Sequence, residues 1–292
     1  MTDILKKLRK YEIKIRKALN SHMQGDFHSI FKGSGLEFDD VRGYQYGDDV
    51  RTIDWHVSAK GHGTFVKTFK EEKEQNVFLI LDVSASQEIG AIGQQKLDIS
   101  KEICALLSMS AIKESSQVGL ICFSDQKEKY VKPGKGLKHS HQLVSEIFSL
   151  KTLSKKTNIS KAIRFTLNLL KRKSVVIFIS DFIDENYEHD LKGLARSHDL
   201  VVIQISDIRE KAFPKLGIIP LYDQESGKTL WKNTSSGSFR KFVDKSMGSR
   251  FDDLENFCRK NQANYVNIRT DEDYVPKLIR LFKVRNRIRK SG

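Results

Sequence analysis

The chain has 292 residues, of which 39% are hydrophobic and 30% charged, with a formal net charge of +14. That length holds one large domain or two small ones around a substantial core. No apolar run approaches the ~18 residues that span a bilayer, and the amino terminus lacks the charged-then-apolar order of a secretory signal, so a cytoplasmic location is expected.

Cys104, Cys122 and Cys258 are odd in number, far apart and set among apolar residues, so buried free thiols are expected rather than a disulfide or zinc framework. The charge is concentrated at the ends. Residues 1–20 carry seven Lys or Arg against Asp3 and Glu12, and residues 271–292 carry seven against Asp271, Glu272 and Asp273. Basic ends are either solvated helix faces or attractors of phosphates, anionic lipids or an acidic partner.

In chain order, residues 3–20 have the spacing of an amphipathic helix, with Ile4, Leu8, Tyr11, Ile15 and Leu19 on one side. Residues 25–37 are turn-rich. Gly33-Ser34-Gly35 is not a phosphate loop, because no strand precedes it and no Gly-Lys-Ser/Thr follows. Residues 38–60 are dense in charge pairs and aromatics: Arg42, Tyr44, Asp48, Asp49, Arg51, Asp54 and Trp55. These form either an ion-paired brace or a partner-docking surface. Residues 65–70 alternate as an edge strand.

The stretch 77–81 is apolar without alternation, as in a strand buried on both faces of a parallel sheet. It ends on Asp82, followed by Ser84 and Ser86 at two-residue spacing. In an open parallel sheet ligands sit at that edge. Carboxylate and hydroxyl oxygens suit magnesium or manganese and suit zinc or copper poorly. Such residues also end strands and cap helices for local reasons alone.

Further on, residues 94–114 read as a helix with Leu97, Ile103, Leu106, Leu107 and Ile112 buried. Residues 118–123 read as a strand, 127–131 as an antiparallel edge strand, and Pro133-Gly134 as a turn. Helices are expected at 139–150 and 159–171, and Thr157 precedes the second. His139-x-His141 is expected to be a solvated pair. A second buried strand, 174–180, ends on Asp181, so three loops offer oxygens at one sheet edge. A helix at 187–196, a strand at 200–206, a hairpin inserted at the sheet edge (216–221 with 228–231), a helix at 239–261, a strand at 265–269 and a basic helix at 274–289 complete the chain. Strand and helix alternate, which is the pattern of an α/β, doubly wound, mostly parallel central sheet. Residues 1–73 are expected to pack on a main domain of residues 74–292, with an insertion at 207–237.

The passage 25–86, with Gly33-x-Gly35-x-Glu37-Phe38, Arg42-x-Tyr44, Gly47-Asp48-Asp49-x-Arg51-x-Ile53-Asp54-Trp55, Ser58-Ala59-Lys60, Lys67 and Glu71-Glu72, resembles the family catalogued as domain of unknown function 58. The resemblance implies a von Willebrand factor type A-like, Rossmann-like domain with a metal-ion-dependent adhesion site. It also implies association with MoxR-type AAA+ ATPases. By the same resemblance, Ser84, Ser86 and Thr157 touch a Mg2+ or Mn2+ ion through hydroxyls, and Asp82 and Asp181 bind it through water or directly. Neutral hydroxyls leave the ion residual positive charge and a place for a partner's carboxylate. Glu88 after Ser86, Lys155-Lys156 before Thr157, and Phe182 after Asp181 depart from the usual pattern.

No His-Glu-x-x-His and no Gly-x-Ser-x-Gly elbow occurs. The expectation is a non-enzymatic, metal-dependent protein-binding adaptor that acts with a MoxR-type AAA+ ATPase on clients presenting an acidic residue. The alternative is a nucleic-acid or anionic-membrane binding module led by the basic ends.

Overall fold

The computed structural model describes residues 37–61, 63–70, 76–91, 93–211, 216–222 and 229–281. The helix expected at 3–20, the turn-rich passage up to residue 36, Glu71-Glu72, the hairpin turn at 223–227 and the end of the closing helix lie outside the described residues. So do most of the basic residues on which the nucleic-acid or membrane alternative depends.

Strand β1 (Glu37–Gly43) pairs antiparallel with β2 (Phe65–Lys70) in a two-stranded sheet of their own. Residues 65–70 are thus an edge strand, as expected, in a sheet separate from the main one. The next strand, β3 (Asn76–Asp82), is flanked on both sides by parallel partners and has no free edge to offer.

Those partners are β4 (Gln117–Phe123) and β6 (Val175–Ser180). Beyond β4 lies β5 (Lys127–Gly134), which is antiparallel. Beyond β6 lie β7 (Asp199–Ser206) and β10 (Asn264–Arg269), both parallel. The sheet order is β10-β7-β6-β3-β4-β5, the doubly wound sheet expected from the sequence. Pro133 and Gly134 stay within β5, and the chain reverses at Gly136, whose φ is +80°.

Helix α1 (Lys96–Lys113) connects β3 to β4. Helices α2 (Gly136–Ser149) and α3 (Ile159–Leu169) connect β5 to β6, and α4 (Glu188–Ser197) connects β6 to β7. After β7 come the paired strands β8 (Ile218–Tyr222) and β9 (Thr229–Asn233), then α5 (Gly237–Lys260). The expected hairpin therefore exists, but among the described residues it pairs only with itself. The place beside β7 is taken by β10, so the hairpin is not part of the main sheet edge.

Alternation along β3 divides the core. Val77, Leu79 and Leu81 pack with Ile103, Leu106 and Leu107 of α1, Leu143 and Ile147 of α2, and Leu278. Phe78 and Ile80 pack on the other face with Ile163 of α3, Leu191 and Leu194 of α4, and Leu254 and Cys258 of α5. Each fully buried Leu or Ile contributes about 1.5–3 kcal/mol relative to exposure. The strand is thus held from both sides, and its carboxyl end is a fixed platform. Residues 274–281 are helical.

On α1 Ile103, Leu106, Leu107 and Ile112 are buried as expected; Leu97 is only half-buried, while Lys96 and Ile99 are turned inward as well. His139 and His141 do not form a solvated pair either. The His139 ring is half-buried, with Nε2 2.7 Å from the Val118 carbonyl oxygen, and only His141 is exposed.

Candidate metal centre

The chain leaves β3 toward β4 on one side and returns through β6 on the other, so the strand order reverses between β3 and β6. At such a point in a parallel sheet a crevice opens beyond the carboxyl ends of the strands. Asp82 ends β3 and Asp181 follows β6, so the two carboxylates come from the ends of the two neighbouring strands at that point.

Asp82 is fully buried. Its Oδ1 accepts from the Ser84 N–H at 2.9 Å, and its Oδ2 accepts from the Ser180 hydroxyl at 2.6 Å. The first bond folds the backbone back over the strand end. Ser84 immediately precedes the short 3-10 helix Ala85–Glu88 without a side-chain capping bond, and its Oγ lies 3.0 Å from Ser86 Oγ. Two hydroxyls thus sit together above a buried carboxylate.

The Thr157 loop is tied to this turn by backbone. Ala85 N–H donates to the Lys155 carbonyl at 3.0 Å, and Asn158 N–H donates to the Ser124 carbonyl at 3.1 Å. Thr157 lies between these anchors and is half-buried. Glu128 holds the other side of the loop, accepting from Leu153 N–H at 2.9 Å, Ser154 N–H at 3.1 Å and the Ser124 hydroxyl at 2.6 Å. Burial opposes its charge, but these donors outweigh it and keep the Glu128 carboxyl below the usual range.

Asp181 is also buried. Its Oδ1 accepts from Ile183 N–H at 3.1 Å, and its Oδ2 lies 2.6 Å from Lys96 Nζ. Lys96 has no exposed surface and forms a second ion pair with Glu210, which in turn accepts from Asp207 N–H at 3.0 Å. Burial alone would depress the lysine, yet the Asp181 and Glu210 charges prevail and raise its pKa. The Asp181 carbonyl accepts from Gln204 Nε2 at 3.1 Å, and Tyr265 OH donates to Gln204 Oε1 at 2.6 Å.

Among the described residues Asp82 has no such counter-ion. Burial first, and the Asp181 charge second, push its carboxyl up to about 7 against the bonds from Ser180 and Ser84. Among the described residues the Asp181 and Glu210 carboxylates share the buried Lys96 ammonium, and the groups bonded around Asp82 and the serine turn offer hydroxyl and carboxylate oxygens. Among the described residues no group of three or more His, Cys, Asp or Glu converges as a metal-holding set. Hydroxyls plus two carboxylates suit a hard divalent ion, so Mg2+ or Mn2+ fits the residues present.

Lys155, Lys156 and Glu88 are exposed. Phe182 adopts φ +56°, a conformation disfavoured for residues with a Cβ. Its ring is anchored 5.1 Å from the Phe178 centroid and 5.9 Å from that of Tyr187.

The segment 38–60 is an ion-paired brace with an exposed aromatic surface. Arg42 grips Asp48 with two bonds of 2.8 and 2.7 Å, and Arg51 reaches Asp49 at 3.0 Å. Asp54 caps the helix Trp55–Ser58 and lies 3.7 Å from Lys67. Tyr44 N–H donates to the Thr64 carbonyl. Trp55 and Tyr46 project into solvent.

The residues that sequence reasoning missed are Lys96, Glu210, Ser180 and Gln204. A signal for Lys96 exists, because positions 96, 99 and 103 fall on one helical stripe.

An uncharacterized protein of Mycobacterium bovis, Mb1516, is 25% identical over 283 residues, covering 96% of this chain and 89% of the relative. Among solved structures, the conserved hypothetical protein BatB from Bacteroides thetaiotaomicron is similar over 72% of this chain and 98% of its own, at 14% identity and a TM-score of 0.48. The SpRpn10 VWA domain is similar over 71% of this chain and 94% of its own, at 10% identity and a TM-score of 0.39. A family profile matches residues 40–250, and the chain belongs to that family, described as Protein of unknown function DUF58.

Proposed function

We propose that this protein is a non-enzymatic adaptor that docks an acidic residue of a partner protein on a Mg2+ or Mn2+ ion. Its working partner in this reading is a MoxR-type AAA+ ATPase, with which it assembles or remodels clients. The observation that carries the reading is the Ser84–Ser86 hydroxyl pair, 3.0 Å apart, over the buried and under-compensated Asp82. Ser84, Ser86 and Thr157 would hold the ion through hydroxyls, with Asp82 and Asp181 behind them. When bound, the ion supplies a positive charge with room for an outside carboxylate. The chain's own residues do the positioning. Ser180 fixes the Asp82 carboxylate, Lys96 fixes that of Asp181, and the Lys155 carbonyl pins the serine turn.

The test is a pull-down of purified full-length chain with a MoxR-type ATPase from the same source. Binding is expected in Mg2+ and is lost in EDTA, in Asp82→Ala and in Ser84→Ala, with circular dichroism spectra unchanged. Full retention of the ATPase by the two folded variants contradicts the proposal.

A further inference from the structure

A cavity of about 280 Å3 opens beside the candidate metal centre, between the end of β4 and the first half of α3. Its floor is Ile121, Phe123, Ala162 and Phe165, and its rim carries Lys127 and Lys161. Ser124 is in its wall, and the Ser124 carbonyl receives the Asn158 N–H, one residue beyond Thr157. One backbone bond thus ties the cavity wall to the loop that carries Thr157. Pockets for whole small-molecule ligands are generally about 300–1,000 Å3, so this space suits one large apolar side chain.

The charge around it has one sign in excess. Lys127 and Lys161 on the rim and Lys155 and Lys156 in the loop before Thr157 are all exposed, against the carboxylates of Asp125 in the wall and of Glu128, which is engaged by the Ser124 hydroxyl and the Leu153 and Ser154 N–H groups. Among the described residues none of the four lysines forms an ion pair with a carboxylate. Lys127 Nζ stands 5.5 Å from the Phe165 ring centroid, which holds the ammonium at the cavity wall.

We infer that the cavity receives an apolar side chain from the same acidic segment whose carboxylate reaches the ion, and that the four lysines select acidic residues flanking it. The partner is an extended protein segment with a carboxylate for the metal centre, an apolar residue close to it in sequence, and further acidic residues. This rests on the metal-docking reading and adds a second, apolar subsite. Burying the apolar side chain supplies affinity, and the lysines chiefly supply encounter rate and discrimination.

The test selects a phage-displayed library of random peptides on the immobilised full chain in Mg2+, then measures a fluorescein-labelled synthetic copy of the enriched peptide by anisotropy. Enriched peptides are expected to pair a carboxylate with a nearby apolar residue. Affinity is expected to fall about tenfold or more in Lys127→Glu/Lys161→Glu, whose changes are on the surface, and in Ala162→Leu, which fills the cavity. Peptides that need Mg2+ and Ser84 but ignore both cavity variants overturn this inference and leave the metal-docking reading standing. Peptides that need the cavity but bind equally in EDTA and in Ser84→Ala uphold the apolar subsite and overturn the metal reading. Failure to enrich any peptide, or preferential binding of a fluorescein-labelled RNA oligonucleotide, overturns the inference.

Discussion

Lys96 Nζ lies 2.6 Å from Asp181 Oδ2, joining the first residue of α1 to the first residue beyond β6 with no solvent contact. An ammonium this deep persists only with its charge matched, and Glu210 provides the second match. Removing one partner of a buried pair leaves a bare charge, which costs about 3–5 kcal/mol. Lys96→Met is therefore expected to lose about that much in urea unfolding. Lys96→Met/Glu210→Leu should recover part of it, because one stranded carboxylate is gone. Mg2+ should raise the melting temperature of Lys96→Met more than that of the wild type. A single variant within about 0.5 kcal/mol of the wild type would show that the pair is not a structural link.

Gly119 of β4 faces Phe78 of β3, its partner in register. A Cβ built at Gly119 would stand 2.6 Å from Phe78 Cε1. Phe78 is buried and cannot swing away freely. Gly119→Ala is expected to cost about 1–3 kcal/mol through overpacking, and Gly119→Ala/Phe78→Leu should cost less than the two single changes added together. Strict additivity of the two changes in chemical denaturation would contradict this packing.

His198 is buried with neither ring nitrogen hydrogen-bonded to any of the described residues, and burial lowers its pKa. The unfolded chain then binds a proton more readily than the folded one, so stability rises with pH in this range. The stability held above the ordinary histidine value of about 6.5 is lost as pH falls toward and through the lowered folded value. His198→Leu should flatten that limb of the stability curve. An unchanged slope in denaturant titrations across the window would contradict the assignment.

The three thiols are free and buried, as the sequence implied. Burial pushes Cys122 and Cys258 up to about 12 and Cys104 well above its ordinary value. Thiolate is the reactive form, so a chromogenic disulfide reagent should label none of them in the native protein at neutral pH and all of them in denaturant. Rapid native labelling of any one would refute its burial.

What the sequence made legible was local. The unbroken apolar run of β3 predicted burial on both faces, and the spacing of Asp82, Ser84 and Ser86 predicted a turn with oxygens at one edge. Asp181 was found because it ends a second such run. What stayed hidden depends on partners far apart in the chain. Lys96 meets Asp181 across 85 positions and Glu210 across 114, and a lysine counted as polar hides the apolar stripe to which it belongs. Strand β1 was equally hidden, because Asp39, Asp40 and Arg42 mask its alternation and its pairing with β2 is bulged between Phe38 and Asp40.

Calorimetric titration of Mg2+ and Mn2+ into the metal-free full chain tests the central claim most directly. One ion per chain is expected to bind the wild type, with affinity reduced about tenfold or more in Ser84→Ala, while both proteins keep the same circular dichroism spectrum. No heat from either ion with the wild type, or identical titrations for the two proteins, would contradict an ion held by the Ser84–Ser86 turn.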